Sequence, residues 1–244
     1  MTLPLPQFLT APYDLHGEAL LDCYRGEADA TLICHQDGER DDVPAAFWLR
    51  DSFDPLESAM MGLCRGRILD LGAGAGIHAL ALQKRGLEVV ALDISSACVA
   101  IMRERGVRNA CQGDMYDFHA PPFDTVACFC NGLDKIGQLA DLPRFLDKMR
   151  TLVAHGGQLL ADSFDVRTNA GPEELARYAA KQAEGRYFGE LELAFEYRGK
   201  RSEPFSVLQL DFDTLHDVAD SAGWGCEKIA ETGGHYFVRM QPFG

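Results

Sequence analysis

From Arg67 onward the apolar positions switch repeatedly between a strand pattern and a helical one. Arg67-Ile68-Leu69-Asp70-Leu71 is a short apolar run ending in a glycine-rich stretch, as expected of a strand buried on both faces. Residues 77–85 place Ile77, Leu80 and Ala81 inward, then finish on Lys84-Arg85 and Gly86, a helix with a glycine stop. Residues 87–93 predict a second strand. Ser95 can cap the next helix, whose Val99 and Met102 face inward before Arg105-Gly106 ends it. A third strand reaches Asp114 and a fourth spans 124–130. The strongest helical signal follows, with Leu142, Phe145, Leu146, Met149, Leu152 and Val153 on one stripe. Asp141 is its candidate cap and Gly156-Gly157 its stop, and residues 158–163 predict the fifth strand.

Strand–helix alternation of this kind implies right-handed crossovers and a parallel sheet covered on both faces. After residue 165 the pattern changes. Pro172-Glu173-Glu174 opens a helix, and Leu191, Leu193, Phe195 and Tyr197 alternate with Glu190, Glu192 and Glu196, a strand with one wet face. Residues 205–210 are expected to pair with it. Residues 213–222 read as a helix stopped by Gly223, and two final strands meet at Gly233-Gly234, a hairpin signal. The expectation is an α/β fold: a doubly wound, mostly parallel, seven-stranded Rossmann-like sheet with a C-terminal antiparallel hairpin. An extra β-hairpin is inserted after the fifth strand.

The first 64 residues are less regular. They hold a helix-like stretch at 16–24, a charged polar turn at 37–42, and a helix start at Asp54-Pro55-Leu56-Glu57, with cap, proline and third-position glutamate in place. The expected division is a lid-like extension over 1–64 and a main domain over 65–244, its insertion at about 168–211.

Composition narrows the function classes. Apolar residues are 47% and charged residues 25%, ordinary for a globular chain. Acidic side chains outnumber basic ones 37 to 23, for a net charge of −14, which opposes nucleic acid and anionic membrane as partners. No apolar run approaches the ~18 residues of a membrane span. The start Met1-Thr2-Leu3-Pro4-Leu5-Pro6 lacks a basic leader region, so a cytoplasmic location is expected. The cysteines at 23, 34, 64, 98, 111, 128, 130 and 226 show no zinc-type spacing. They read as reduced, packed thiols, with Cys128 and Cys130 on one strand face, and no metal site is expected.

The chemistry concentrates after the first strand. Asp70-Leu71-Gly72-Ala73-Gly74-Ala75-Gly76 joins a strand to a helix, and its glycines allow a tight turn and close approach of a ligand to the backbone. Gly74-x-Gly76-x-x-Ala79 also fits a dinucleotide fingerprint. Asp93 ends the second strand, 21 residues beyond Gly72, where a carboxylate can accept from both ribose hydroxyls of an adenosine; the other reading, a helix cap, is already served by Ser95 and Ser96. Asp70 decides between ligands. A carboxylate two residues before the first glycine would repel a pyrophosphate but suits a cationic ligand.

These segments resemble the motifs of the class I S-adenosylmethionine-dependent methyltransferases. Leu69 to Gly76 is similar to the first motif, and Ala91-Leu92-Asp93-Ile94-Ser95 to the second, whose acid binds ribose and whose next residue packs on adenine. Gln112-Gly113-Asp114-Met115 is similar to the third, whose acid takes the adenine amino group. Phe123-Asp124-Thr125-Val126 with Cys130-Asn131-Gly132 resembles the fourth strand and the loop beneath the methionine moiety, and Gly156-Gly157-Gln158-Leu159-Leu160 the turn into the fifth. The resemblance covers about residues 67–165. It implies the methyltransferase version of the Rossmann-like fold, S-adenosylmethionine as cofactor, and Asp70, Gly72, Gly74, Gly76, Asp93, Ile94, Gly113, Asp114, Met115 and Asn131 as its binding residues. The fourth-strand loop reads Asn131-Gly132-Leu133-Asp134 instead of the Asn/Asp-Pro-Pro-aromatic loop of amino-group methylases acting on nucleic acids and proteins. A small-molecule acceptor is therefore expected.

Sulfonium methyl transfer is an in-line displacement in which the protein aligns the reactants and excludes water, and a general base is needed only for a protonated nucleophile. Tyr13, His16, His119 and Asp134 are the candidates, and the sequence assigns none of them. His78 can approach the cofactor or stand in solvent. Phe47-Trp48 and Arg50 either roof the pocket, with Arg50 on the cofactor carboxylate, or anchor the extension; Trp224 reads as packing. Two rival readings stay open, an NAD(P)-dependent oxidoreductase and a non-catalytic S-adenosylmethionine-binding protein. Acceptor and oligomeric state are not legible.

Overall fold

A computed structural model describes residues 11–244, so the first ten residues, including the start expected to lack a leader, lie outside the described residues. Along the chain come α1 (Ala11–Tyr24), β1 (Thr31–Gln36), β2 (Glu39–Pro44), α2 (Pro55–Leu63), β3 (Arg67–Leu71), α3 (Ile77–Lys84), β4 (Glu88–Asp93) and α4 (Ser96–Glu104). Next are β5 (Asn109–Gln112), β6 (Phe123–Cys128), α5 (Leu142–Leu152), β7 (Val153–Phe164), α6 (Pro172–Ala183) and β8 (Glu190–Tyr197). The chain closes with β9 (Lys200–Arg201), β10 (Phe205–Leu208), α7 (Phe212–Ser221), β11 (Trp224–Thr232) and β12 (His235–Pro242). Seven strands form a sheet in the order β11-β12-β7-β6-β3-β4-β5. Its β3–β6, β6–β7 and β4–β5 pairs are parallel, whereas β12 runs antiparallel to both β7 and β11. The α/β class, the seven strands and the terminal hairpin are those the residue pattern predicts. Among the described residues no helix is long and apolar enough to cross a membrane.

The chain divides into two compact units. One comprises the residues up to Ser52 with Gly72–Phe118 and Glu192–Phe205; the other comprises Phe53–Leu71, His119–Leu191 and Ser206–Gly244.

In the first unit, Leu15, Ala19 and Leu20 of α1 share a core with Leu32, Ala45, Cys98 and Ile101. Gly17 permits the close approach of α1 to α4, because a Cβ there would lie 2.6 Å from Ser95 Oγ. The stretch 37–42 is a turn only at Asp37-Gly38; Glu39 to Asp42 belong to β2, which pairs antiparallel with β1. No apolar alternation marks β2 because it is the edge of a second sheet, ordered β10-β8-β1-β2, and its charges face solvent on both sides. Charged edges of this kind prevent further strand pairing. The inserted strand β8 thus pairs with the N-terminal β1, Cys34 opposite Phe195.

In the second unit, α5 buries Leu142, Phe145, Leu146, Met149 and Leu152, the expected stripe. Asp141 makes no side-chain cap; it closes a 3₁₀ turn, Leu139–Asp141, that leads into the helix. The helix stops at Leu152 instead of at Gly156-Gly157, which lie within β7 where the pairing with β6 shifts register. α7 starts at Phe212 and is capped by Asp211, whose Oδ1 accepts the Thr214 N–H at 3.1 Å. Trp224 is fully buried, as packing requires. β6 ends at Cys128, and Cys130 has φ 58°, so the two cysteines do not share a strand face. None of the eight cysteines is in a disulfide among the described residues.

Candidate functional site

In the first unit the glycine loop is anchored on the end of β4. The N–H groups of Gly72 and Ala73 donate to the Leu92 carbonyl at 2.8 and 3.0 Å. Asp93 then bridges two segments, its Oδ2 accepting the Gly74 N–H at 2.7 Å and its Oδ1 the Ser95 N–H at 2.8 Å. Ser95 caps α4, as read from the sequence, with its Oγ accepting the Cys98 N–H at 3.4 Å. Asp93 therefore has a structural task in addition to any ligand. The β5 end joins the same assembly: Gly113 N–H donates to the Asp93 carbonyl at 3.0 Å, and Gln112 Nε2 to the Ile94 carbonyl at 3.3 Å. Asp114 Oδ1 accepts the Tyr116 N–H at 2.7 Å, and Met115 beside it is half-buried. The fold thus joins Gly72, Gly74, Asp93, Ile94, Gly113 and Asp114, with Gly76 at the head of α3.

The donor set suits an adenosine with a cationic substituent. Gly74 has φ 54°, and a Cβ built on it meets nothing within 4 Å, so the loop backbone there borders open space. The loop from Asp70 to Gly76 carries no basic side chain, and two half-buried carboxylates follow in chain order, Asp93 at the end of β4 and Asp114 two residues beyond β5. Hydroxyl and amino donors match carboxylates, whereas phosphates do not.

The second unit holds the other two predicted residues. Asp70 is buried on β3, 1% exposed. Asn131 follows Cys130 in a turn where both residues are left-handed, with φ 56° and 58°. Such conformations are costly for non-glycine residues and collect at functional sites. Asp162 of β7 holds this turn, its Oδ2 accepting the Asn131 N–H at 2.8 Å and its Oδ1 the Gly132 N–H at 2.9 Å. Only glycine fits at 132, because a Cβ would stand 2.0 Å from the Cys128 carbonyl oxygen. Lys135 donates to the Gly132 carbonyl, and Asp134 N–H to the Asn131 carbonyl at 2.8 Å. The Asn131 Oδ1 is buried and has no hydrogen-bond partner among the described residues.

These groups perturb one another. Burial raises the Asp134 carboxyl to about 6, with Asp162 adding to the rise and Lys135 opposing it. Burial likewise raises Asp162, against its bonds to Gly132 and Asn131. Burial also pushes the Cys128 thiol to about 12. For Lys135, burial pulls downward but Cys128, Asp134, Asp162 and Asp70 outweigh it, so its pKa is raised. Asp162 and Lys135 were missed by sequence reasoning; the available signal was a lone acid at the end of the apolar run Leu159-Leu160-Ala161.

The remaining candidates separate clearly. His16 packs edge-on to Trp48 at 4.8 Å and stacks on Phe195 at 5.8 Å, and burial lowers its pKa to about 4. Tyr13 lies 5.6 Å from Phe205, while His119 is exposed. His78 is buried, so the solvated reading of it fails. Arg50 folds back on its own turn, donating to the Phe47 carbonyl at 2.7 Å and covering the Phe47 ring.

Comparison with known proteins bears on this arrangement. Residues 68–157 match a methyltransferase domain family. The fold superposes on a SAM-dependent methyltransferase from Bacteroides fragilis, solved with S-adenosyl-L-homocysteine, at TM-score 0.85 and 33% identity, over 97% of this chain and 98% of that one. The CcbJ methyltransferase of Streptomyces caelestis shares the fold at TM-score 0.58 and 14% identity, over 79% of this chain and 98% of that one. A ubiquinone biosynthesis O-methyltransferase of Xylella fastidiosa is 26% identical over 117 residues, covering 44% of this chain and 46% of that protein. The chain thus spans about half the length of the curated relatives it matches. With a near full-length relative at this identity, and a glycine loop and paired carboxylates fitted to an adenosyl ligand, the dinucleotide reading falls away and the chain belongs to the S-adenosylmethionine-dependent methyltransferases.

Proposed function

We propose that this enzyme methylates a small organic acceptor, and that its N-terminal 64 residues form a lid on a methyltransferase domain spanning 65–244, with the insertion at about 168–211. The observation that carries this reading is an aromatic cluster in the same compact unit as the glycine loop. Tyr13, Phe205, Phe195, His16 and Trp48 form a chain of ring contacts in that order, and α1, which carries Tyr13 and His16, packs on α4. Arg105 ties the two parts together, donating to the Ala75 carbonyl at 2.9 Å and the Leu49 carbonyl at 3.3 Å. An aromatic wall fits an organic molecule, and a chain of net charge −14 is ill suited to polyphosphate backbones or anionic membranes.

Bound S-adenosylmethionine supplies an electrophilic methyl on a sulfonium, which leaves the chain to orient the reactants and exclude water. In this reading Asp93 accepts from the ribose hydroxyls, Ile94 packs on adenine, and Asp114 accepts from its amino group, with Gly113 and Met115 beside it. The backbone of Gly72, Gly74 and Gly76 admits the ligand closely, and Asp70 and Asn131 serve its cationic end. With its pKa lowered to about 4, His16 is a neutral imidazole at neutral pH and offers the wall an unprotonated nitrogen.

Radiolabelled S-adenosylmethionine is offered to the enzyme with deproteinised low-molecular-weight cell extract, or with purified tRNA and DNA at physiological salt. Label is expected only in the small-molecule fraction; label on nucleic acid overturns the proposal.

A further inference from the structure

We propose that Asp162 is a positioning residue for the amino-acid end of the cofactor, acting through the strained turn it holds at Cys130-Asn131-Gly132. This rests on the reading of Asn131 as a cofactor ligand. The last registered pair of β6 and β7 is Cys128 with Ala161, so Asp162 stands one residue further along, where the chain leaves β6. There its two oxygens take two successive backbone N–H groups, one each. Successive N–H groups in a turn form a concavity for an anion, and here the protein fills that concavity with its own carboxylate.

The arrangement has a purpose only if the turn presents something. Two consecutive non-glycine residues in the left-handed region oppose the turn, and burial opposes the charge that secures it. Lys135 closes the other side through the Gly132 carbonyl, and Gly132 is packed too tightly against Cys128 to carry a side chain. What these restraints leave with no hydrogen-bond donor among the described residues is the buried Oδ1 of Asn131. Buried amide oxygens are almost always satisfied, so one held open at this cost fits a donor that arrives with the ligand. The ammonium of the cofactor's amino-acid end is a donor of that kind.

The test compares two ligands by calorimetry. S-adenosylhomocysteine has the amino-acid end, and 5′-methylthioadenosine lacks it while keeping the adenosine. Asp162→Asn places an amide N–H against one of the two backbone N–H groups. It is expected to weaken S-adenosylhomocysteine by roughly ten- to hundredfold, the scale of lost charge-assisted bonds, and to leave 5′-methylthioadenosine within about twofold. Cys130→Gly, added to Asp162→Asn, relieves one left-handed residue and is expected to restore part of the lost affinity. Equal weakening of both ligands, or no weakening of either, overturns the positioning role. Asn131→Ala separates the premise. If it weakens S-adenosylhomocysteine while Asp162→Asn does not, the proposal fails and the Asn131 reading stands; if Asn131→Ala has no effect, that reading fails. Should Asp162→Asn not fold, amide exchange in the wild-type protein decides, because Asn131 and Gly132 amides exchanging as fast as an open loop would refute the clamp.

Discussion

Replacing Asp134 by Asn tests the electrostatics of the β6 loop through a pH-dependent change in stability. Burial and the neighbouring Asp162 raise this carboxyl from 3.8 to about 6 in the folded protein, although Lys135 attracts its charged form. A folded pKa above the unfolded one means that stability is intact below about pH 4 and declines as pH rises through 6, because the unfolded chain ionises more readily. A rise from 3.8 to about 6 corresponds to roughly 3 kcal/mol at 1.36 kcal/mol per pKa unit, and the partial solvent contact of this side chain lowers that to about 1–2 kcal/mol. Asn cannot ionise and escapes the cost. Asp134→Asn should therefore match the wild type near pH 3.5 and exceed it above pH 7, by roughly 2–8 °C in midpoint for a chain of this size. Urea unfolding at pH 5, 6, 7 and 8 measures the difference directly. A gap that stays constant with pH, or a variant less stable at pH 8, would show that Lys135 outweighs burial and that the carboxylate is favourably paired.

Three further expectations concern the first unit. Asp93→Ala should weaken S-adenosylhomocysteine by about 1.5–3 kcal/mol, since it removes a charged acceptor and releases the Gly74 and Ser95 amides together; unchanged affinity in a folded variant would dismiss the ribose role. Gly74→Val should abolish binding with helix content retained, and the cause is the backbone at φ 54°, because the space around a Cβ there is open. For the lid, amide exchange in residues 13–24 and 45–50 should slow when S-adenosylhomocysteine is added, and identical exchange with and without ligand would reduce the extension to a packing element.

What the sequence made legible is what local physics enforces. β3, α3, β4 and the Ser95 cap sit within a residue of their expected places, because a two-face-buried strand and a capped amphipathic helix each leave a local signature. The boundaries that moved did so for tertiary reasons. Gly156-Gly157 carries a helix-stop composition, yet Val153 pairs with Phe123, and the strand begins there, ahead of its expected start at Gln158. β2 is invisible to any hydrophobic count because an exposed edge strand buries nothing, and only its partner β1 reveals it.

The same distinction divides the candidate site. Asp93 stands out in the sequence because a carboxylate at a strand end, at a fixed distance from a glycine loop, is a local pattern with a chemical reason. Its structural task, accepting the Gly74 and Ser95 amides, depends on three segments meeting and is not legible in any one of them. Asp162 is the harder case: its partners lie 30 and 31 residues away, and the need for it comes from the left-handed φ values at Cys130 and Asn131, which no residue type there announces. A glycine at either position would have advertised the turn. Cysteine and asparagine hide it, and the side chains present are a thiol that donates to Glu57 Oε1 and a buried amide oxygen with no hydrogen-bond partner among the described residues. Strained non-glycine residues where glycine would be permissive are the physical ground for the role in binding proposed for this turn.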